Sequence, residues 1–207
     1  MVELALPRGA HTILDLDING LYIPLSEQGL AYRWHWGLYL HKEKERGYAL
    51  HITRPSDAVP WRYEDREVRN VIFSVSITLA LKIAVITPDM DDALRGRIAR
   101  VPVDDAADAN AAAARERWGP LTCRTWLLRT LSELDDEGYI SIKPTATVEE
   151  VEEEALSLAG SNAADVQGGK QLGAKDKVYR SWYIAAVPTA MAVVAVLAVV
   201  WTCRQVL

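Results

Sequence analysis

Two stretches decide how this chain is read: Ala31-Tyr32-Arg33-Trp34-His35-Trp36-Gly37-Leu38-Tyr39-Leu40, and Tyr48-Ala49-Leu50-His51-Ile52-Thr53. Both alternate in period two, the pattern of a half-buried strand. In the first, Trp34, Trp36, Leu38 and Leu40 share one face, and His35, Gly37 and Tyr39 share the other. In the second, Tyr48, Leu50 and Ile52 oppose Ala49 and His51. Between them His41-Lys42-Glu43-Lys44-Glu45-Arg46-Gly47 reads as a charged loop, with His41 solvated in it. If the turn is centred near Lys44, Gly37 falls opposite His51 and His35 becomes its diagonal neighbour. Diagonal side chains on one face lie about 7–8 Å apart, within reach of two imidazoles. A slip of one residue would send one histidine to the opposite face.

Further along, Pro120-Leu121-Thr122-Cys123-Arg124-Thr125-Trp126 opens a segment with Trp126, Leu127, Leu131 and Leu134 on one helical face and Gly138 as its stop. Thr122 suits the N-cap, which puts Cys123 at the first helical position. The helix dipole favours an anion there and is expected to lower the thiol pKa. Two histidines on a hairpin and a cysteine at a helix start form a candidate nucleophilic site: Cys123, His35 and His51. Each residue also has a bland role, since a free cysteine is usually a small buried hydrophobe and a histidine between tryptophans can be a bonded core residue.

The rest of the domain follows from pattern. Ile13 to Ile23 alternates around Asn19-Gly20, a two-residue hairpin signal. Val71 to Val85 keeps period two for longer than one strand usually runs, so a break is expected near residues 74–78. Asp89 to Ile98 predicts a short helix, Asp104 to Trp118 a loop or surface helix, and Tyr139 to Ile142 a closing strand. Residues 8–146 are thus expected to fold as one α+β domain, an antiparallel sheet packed on the cysteine-bearing helix. Residues 147–180 carry an acidic run followed by Gly, Ser, Asn and Gln, and read as a mobile linker.

From Ser181 to Cys203 there is no charged residue, and aromatics stand at both ends (Trp182, Tyr183, Trp201). About 20 apolar residues at ~1.5 Å each can cross the hydrocarbon core. Lys170, Lys175, Lys177 and Arg180 precede the segment and Arg204 follows it, so the positive-inside bias keeps the body of the chain cytosolic. The expectation is a single-pass tail anchor over 181–203. No basic n-region stands at the start. A net charge of −5 over 207 residues carries no basic footprint for nucleic acid. Two cysteines in unlike contexts, Cys123 and Cys203, do not suggest a structural disulfide, and no metal-ligand spacing or cofactor motif stands out.

The motif His35-Trp36-Gly37-Leu38-Tyr39-Leu40, the pair His51-Ile52, and a later cysteine opening a helix resemble the lecithin:retinol acyltransferase-like family. The family's cysteine motif is matched only at Cys123 itself. The chain also resembles uncharacterised fungal proteins with a His-Trp strand and a Cys-x-x-Trp helix. The family resemblance covers roughly residues 30–140 and implies a circularly permuted papain-like fold, of which some members carry a C-terminal membrane segment. It implies Cys123 as nucleophile, His35 as base and His51 as the residue that orients His35, with an acyl-lipid substrate, a thioester intermediate and no cofactor. Two other outcomes stand beside this acyltransferase or hydrolase: a membrane-anchored interaction domain without catalysis, and a thiol isopeptidase acting on ubiquitin-like conjugates.

Overall fold

The computed structural model describes residues 14–28, 33–74, 76–104, 108, 110–170 and 172–181. The tryptophan-rich stretch divides into β2 (Trp34–Trp36) and β3 (Leu38–Glu43), both antiparallel to β1 (Gly20–Glu27). The division has a local cause. The pairs Leu25↔Trp36 and Tyr22↔Tyr39 bring Pro24 opposite Gly37, and proline has no N–H to give the ladder. β3 turns at Lys44-Glu45 into β4 (Arg46–Thr53), which pairs with β5 (Arg62–Arg69). β6 (Ile77–Val85) lies on the other side of β1, and β7 (Val178–Arg180) runs parallel to β6. The result is one seven-stranded sheet in the order β5-β4-β3-β1-β6-β7, with β2 beside β1. The fold is α+β with a mixed rather than purely antiparallel sheet.

β1 is central, with both ladder edges taken by β3 and β6. That explains why the hairpin expected around Asn19-Gly20 keeps its turn, with Asn19 at φ 63°, but forms no first arm over Leu14–Asp17. The Leu14 N–H instead bonds the Ile72 carbonyl at 2.8 Å. The break expected near residues 74–78 is present: left-handed Asn70 leads into a single 3-10 turn, Val71–Phe73, before β6 begins.

Among the described residues four helices follow: α1 (Asp91–Ile98), α2 (Ala111–Trp118), α3 (Cys123–Asp136) and α4 (Val148–Gln167). Trp126, Leu127, Leu131 and Leu134 of α3 pack with Trp36, Leu38, Leu40, Leu50 and Ile52 of the sheet into one core. Each fully buried side chain of this kind contributes roughly 1.5–3 kcal/mol. Tyr139–Ile142 is not a strand. The Tyr139 N–H bonds the Leu134 carbonyl at 2.9 Å and the Ile142 N–H bonds Asp135 Oδ1 at 2.6 Å, so these backbone groups finish α3 instead of pairing with the sheet.

The stretch 147–180 departs most from expectation. It is not a linker but part of the fold. Thr147 and Glu150 form a capping box, with the Glu150 N–H on Thr147 Oγ1 (3.1 Å) and the Thr147 N–H on Glu150 Oε2 (2.8 Å). Val148, Val151, Ala155 and Ala159 then make a helical stripe that joins the main core. Most of the glutamates face outward, and the small alanines let α4 lie close to β6. Asn162 Nδ2 donates to the Thr78 carbonyl (2.7 Å) and the Asp176 carbonyl (3.0 Å), which ties the helix to the strand ends. The tail expected over 181–203 lies, apart from Ser181, outside the described residues. Among the described residues no helix is long and apolar enough to cross a membrane.

Candidate functional site

The hairpin register decides which side chains meet. Leu38 pairs with Leu50 and Tyr39 with Ala49, so Gly37 stands opposite His51 as the turn position predicts. A Cβ on Gly37 would come within 2.8 Å of the His51 Cβ, so glycine is what leaves the ring its place. His35, on the diagonal, reaches across this gap. Its Nε2 lies 2.7 Å from His51 Nδ1, a hydrogen bond, with the rings nearly perpendicular at 79°.

Next along the sheet, β5 puts Glu64 directly opposite His51. Glu64 Oε2 stands 3.7 Å from His51 Nε2, a ring nitrogen that is buried and without a hydrogen-bond partner among the described residues. The carboxylate is held from behind by Thr53 Oγ1 (2.9 Å) and by two guanidinium nitrogens of Arg62 (3.0 and 2.8 Å). The Thr53 bond and Arg62 hold Glu64 below the ordinary carboxylate range, so it is ionised at neutral pH. Burial pushes His35 down to about 4, reinforced by the neighbouring His51 and opposed by Glu64. Burial lowers His51 too, with Glu64 opposing and Arg66 assisting. Both rings are therefore neutral at pH 7, and a single proton lies between their facing nitrogens.

Cys123 occupies the first turn of α3. Thr122 caps the helix: its Oγ1 accepts from the Thr125 N–H at 3.2 Å, and its own N–H donates to Thr125 Oγ1 at 2.8 Å. The half-buried thiol packs against the main core, and its sulfur makes no hydrogen bond to a described residue. Here the strand alternation has a consequence. α3 covers the face that carries Trp36, Leu50 and Ile52, whereas His35 and His51 alternate onto the opposite face. The three expected site residues nevertheless border one cleft of about 910 Å³ that wraps the end of the sheet, with Trp34, Trp61 and Arg124 on its walls. On the histidine face the two rings also border a smaller, more apolar depression of about 170 Å³, between Arg66, Val68 and Ile77.

The structure thus brings His35 and His51 together, adds Glu64, and sets Cys123 in the same cleft on the other side of the sheet. Glu64 escaped the sequence reading because β5, Arg62-Tyr63-Glu64-Asp65-Arg66-Glu67-Val68-Arg69, is polar on both faces and shows no alternation of hydrophobicity. Its only signal is the register it shares with His51. His41 corrects another expectation. β3 continues through it, it is 2% exposed, and its Nδ1 lies 3.2 Å from the Tyr39 hydroxyl. Among the described residues no group of three or more His, Cys, Asp or Glu is arranged to hold a metal ion. No protein-family model, no curated protein and no solved structure matches the chain.

Proposed function

We propose that the cleft supports cysteine-dependent acyl chemistry, as an acyltransferase or a lipid or thioester hydrolase. In this reading the domain is permuted papain-like, faces the cytosol and is tethered to a membrane by the apolar segment 181–203. The observation that carries it is the 2.7 Å bond between two neutral imidazoles in the same cleft as a thiol at a capped helix start. His35 Nε2 is engaged by His51, which leaves His35 Nδ1 as the nitrogen that takes the Cys123 proton. The thiolate sulfur attacks the acyl carbonyl carbon and forms a tetrahedral oxyanion. The Cys123 backbone N–H, one of the orphan donors of the first helical turn, stabilises that oxyanion. Collapse breaks the bond to the leaving group, which receives the proton from His35, and leaves an acyl thioester on Cys123. Water, an amine or a lysolipid then attacks the thioester, with His35 acting again as base.

A second reading keeps the fold and the membrane segment without catalysis. Two observations favour it: the sulfur has no hydrogen bond to either ring, and the helix that carries Cys123 packs on the face away from them. One experiment separates the two. The full chain in phospholipid vesicles is incubated with an acyl-lipid donor, and peptides containing Cys123 are weighed by mass spectrometry. A hydroxylamine-sensitive acyl adduct, absent from Cys123→Ala and much reduced in His35→Ala, is the expected result. An unmodified Cys123 whose alkylation rate ignores His35 would overturn the cysteine reading and leave the interaction domain.

A further inference from the structure

We infer that Glu64 is a positioning residue: it selects the proton-bearing nitrogen of His51 and, through the imidazole pair, that of His35. The argument begins with a neutral imidazole, which has one N–H and one bare lone pair. His51 turns Nδ1 to His35 and Nε2 to Glu64. A lone pair at Nε2 would face an ionised carboxylate at 3.7 Å, and the two would repel in a buried place. A proton at Nε2 is attracted by that charge instead. Glu64 therefore favours His51 with its proton on Nε2 and a bare Nδ1. Across the 2.7 Å contact a bare Nδ1 needs a donor, so His35 carries its proton on Nε2 and presents a bare Nδ1. Without the carboxylate the chain has no preferred direction: His51 Nδ1–H donating to His35 Nε2 satisfies the contact equally well.

The carboxylate is built to stay. Thr53 and Arg62 hold it without standing between it and His51. Arg66, two residues along β5 and opposite Ala49, adds a positive charge that disfavours a second proton on the pair. The tautomers follow from these charges alone, and only their use rests on the cysteine reading, where a bare His35 Nδ1 is the base.

The test is a long-range proton–nitrogen correlation of the full chain, with ring-labelled histidine, in detergent micelles between pH 6 and pH 8. Only four histidines are present, and single His→Gln variants assign them. The expected wild-type pattern is a protonated Nε2 on both His51 and His35. Glu64→Gln removes the charge and can place an amide donor toward His51 Nε2, so both rings should move their proton to Nδ1 in the majority of molecules. Should that variant unfold, Glu64→Ala removes the carboxylate altogether and should give a mixture of the two patterns. Wild-type rings protonated at Nδ1, or patterns unchanged in both variants, overturn the proposal. Acylation of Cys123, where it occurs, should slow about 10²-fold in Glu64→Gln. The expected tautomers with no acylation at all would overturn the cysteine reading and leave the role of Glu64 standing.

Discussion

The two faces of the sheet are built on opposite principles. One is sealed by helices. Trp36, Leu38, Leu40, Leu50 and Ile52 meet Trp126, Leu127 and Leu131, and α4 extends the same core through Val151, Ala155 and Ala159. The other carries a small apolar cluster of Leu14, Tyr22, Tyr39, Ile72, Ile77 and Ala80, and around it a set of paired polar groups. Lys82 is bound to Asp17 at 2.5 Å, His41 to Tyr39, and His35 to His51. A polar side chain pressed under a helix must find a partner there or lose about 1–3 kcal/mol, and the three histidines among the described residues all lie on the more thinly packed face. The larger apolar core therefore lies on one face, and the bonded imidazole pair on the other.

The largest expected effect tests the first half of that division. Trp126, 1% exposed, contacts the Tyr63 ring at a centroid distance of 5.8 Å across the core. Trp126→Ala should cost about 3–5 kcal/mol, read as a lower urea midpoint. His35→Gln on the other face should cost about 1 kcal/mol. Equal losses would break the comparison.

Acid should strike the histidine face first. The native pKa of His35 is depressed to about 4 from an ordinary 6.5, because burial penalises the charged ring. The unfolded chain then takes up a proton that the native state refuses. Stability is intact above about pH 6.5 and declines as pH falls toward the native value. Between pH 7 and pH 5 the loss from this one ring is roughly 2 kcal/mol, less whatever partial solvent contact screens away. His51 and His41 are depressed in the same direction and add to the slope. Unfolding midpoints of the wild type and His35→Gln at both pH values should converge on acidification. Parallel curves would show that the acid response lies elsewhere.

Much of this is legible in the sequence, and the reasons are specific. Period-two alternation fixed the faces of β3 and β4, and the Gly37–His51 opposition followed from the turn position alone. Thr122 at the head of an amphipathic stretch marked both the cap and the place of Cys123. What stayed hidden had no pattern to show. The stripe Val148, Val151, Ala155, Ala159 is diluted by glutamates, so the sequence of α4 reads as a charged spacer even though Thr147 and Glu150 spell its cap. Glu64 sits in a strand polar on both faces. The separation of Cys123 from the histidines was available in principle. The alternation that sets His35 against Trp36 also takes His35 off the face that the apolar side of the cysteine helix seeks.

Gly37→Ala sharpens the contrast within the histidine face. The added methyl would meet the His51 Cβ at 2.8 Å and the Leu50 carbonyl oxygen at 3.3 Å, and neither is the flexible end of a side chain. The ladder on both sides restrains the backbone, so a cost of about 1–3 kcal/mol is expected. The displaced ring should also lose its 2.7 Å bond to His35. Histidine ring signals that move together in this variant would tie stability and proton position to one contact. A change in midpoint with unmoved ring signals would show that the pair does not depend on the glycine gap.

The smallest effect belongs to the helix face and tests its link to the cleft. Thr122→Ala removes the side-chain acceptor of the Thr125 N–H and should cost about 1 kcal/mol. Half of the cap survives, because the Thr122 N–H still reaches Thr125 Oγ1 and that hydroxyl still donates to the Pro120 carbonyl at 2.9 Å. The first turn then frays more often while the core beneath Trp126 stays closed. Cys123, on that turn, should be alkylated faster by a neutral thiol reagent, whereas the histidine ring signals on the far face should not shift. If the ring signals do shift, the sheet transmits the state of the helix start to the imidazole pair, and the two faces are one coupled site rather than two neighbours sharing a cleft.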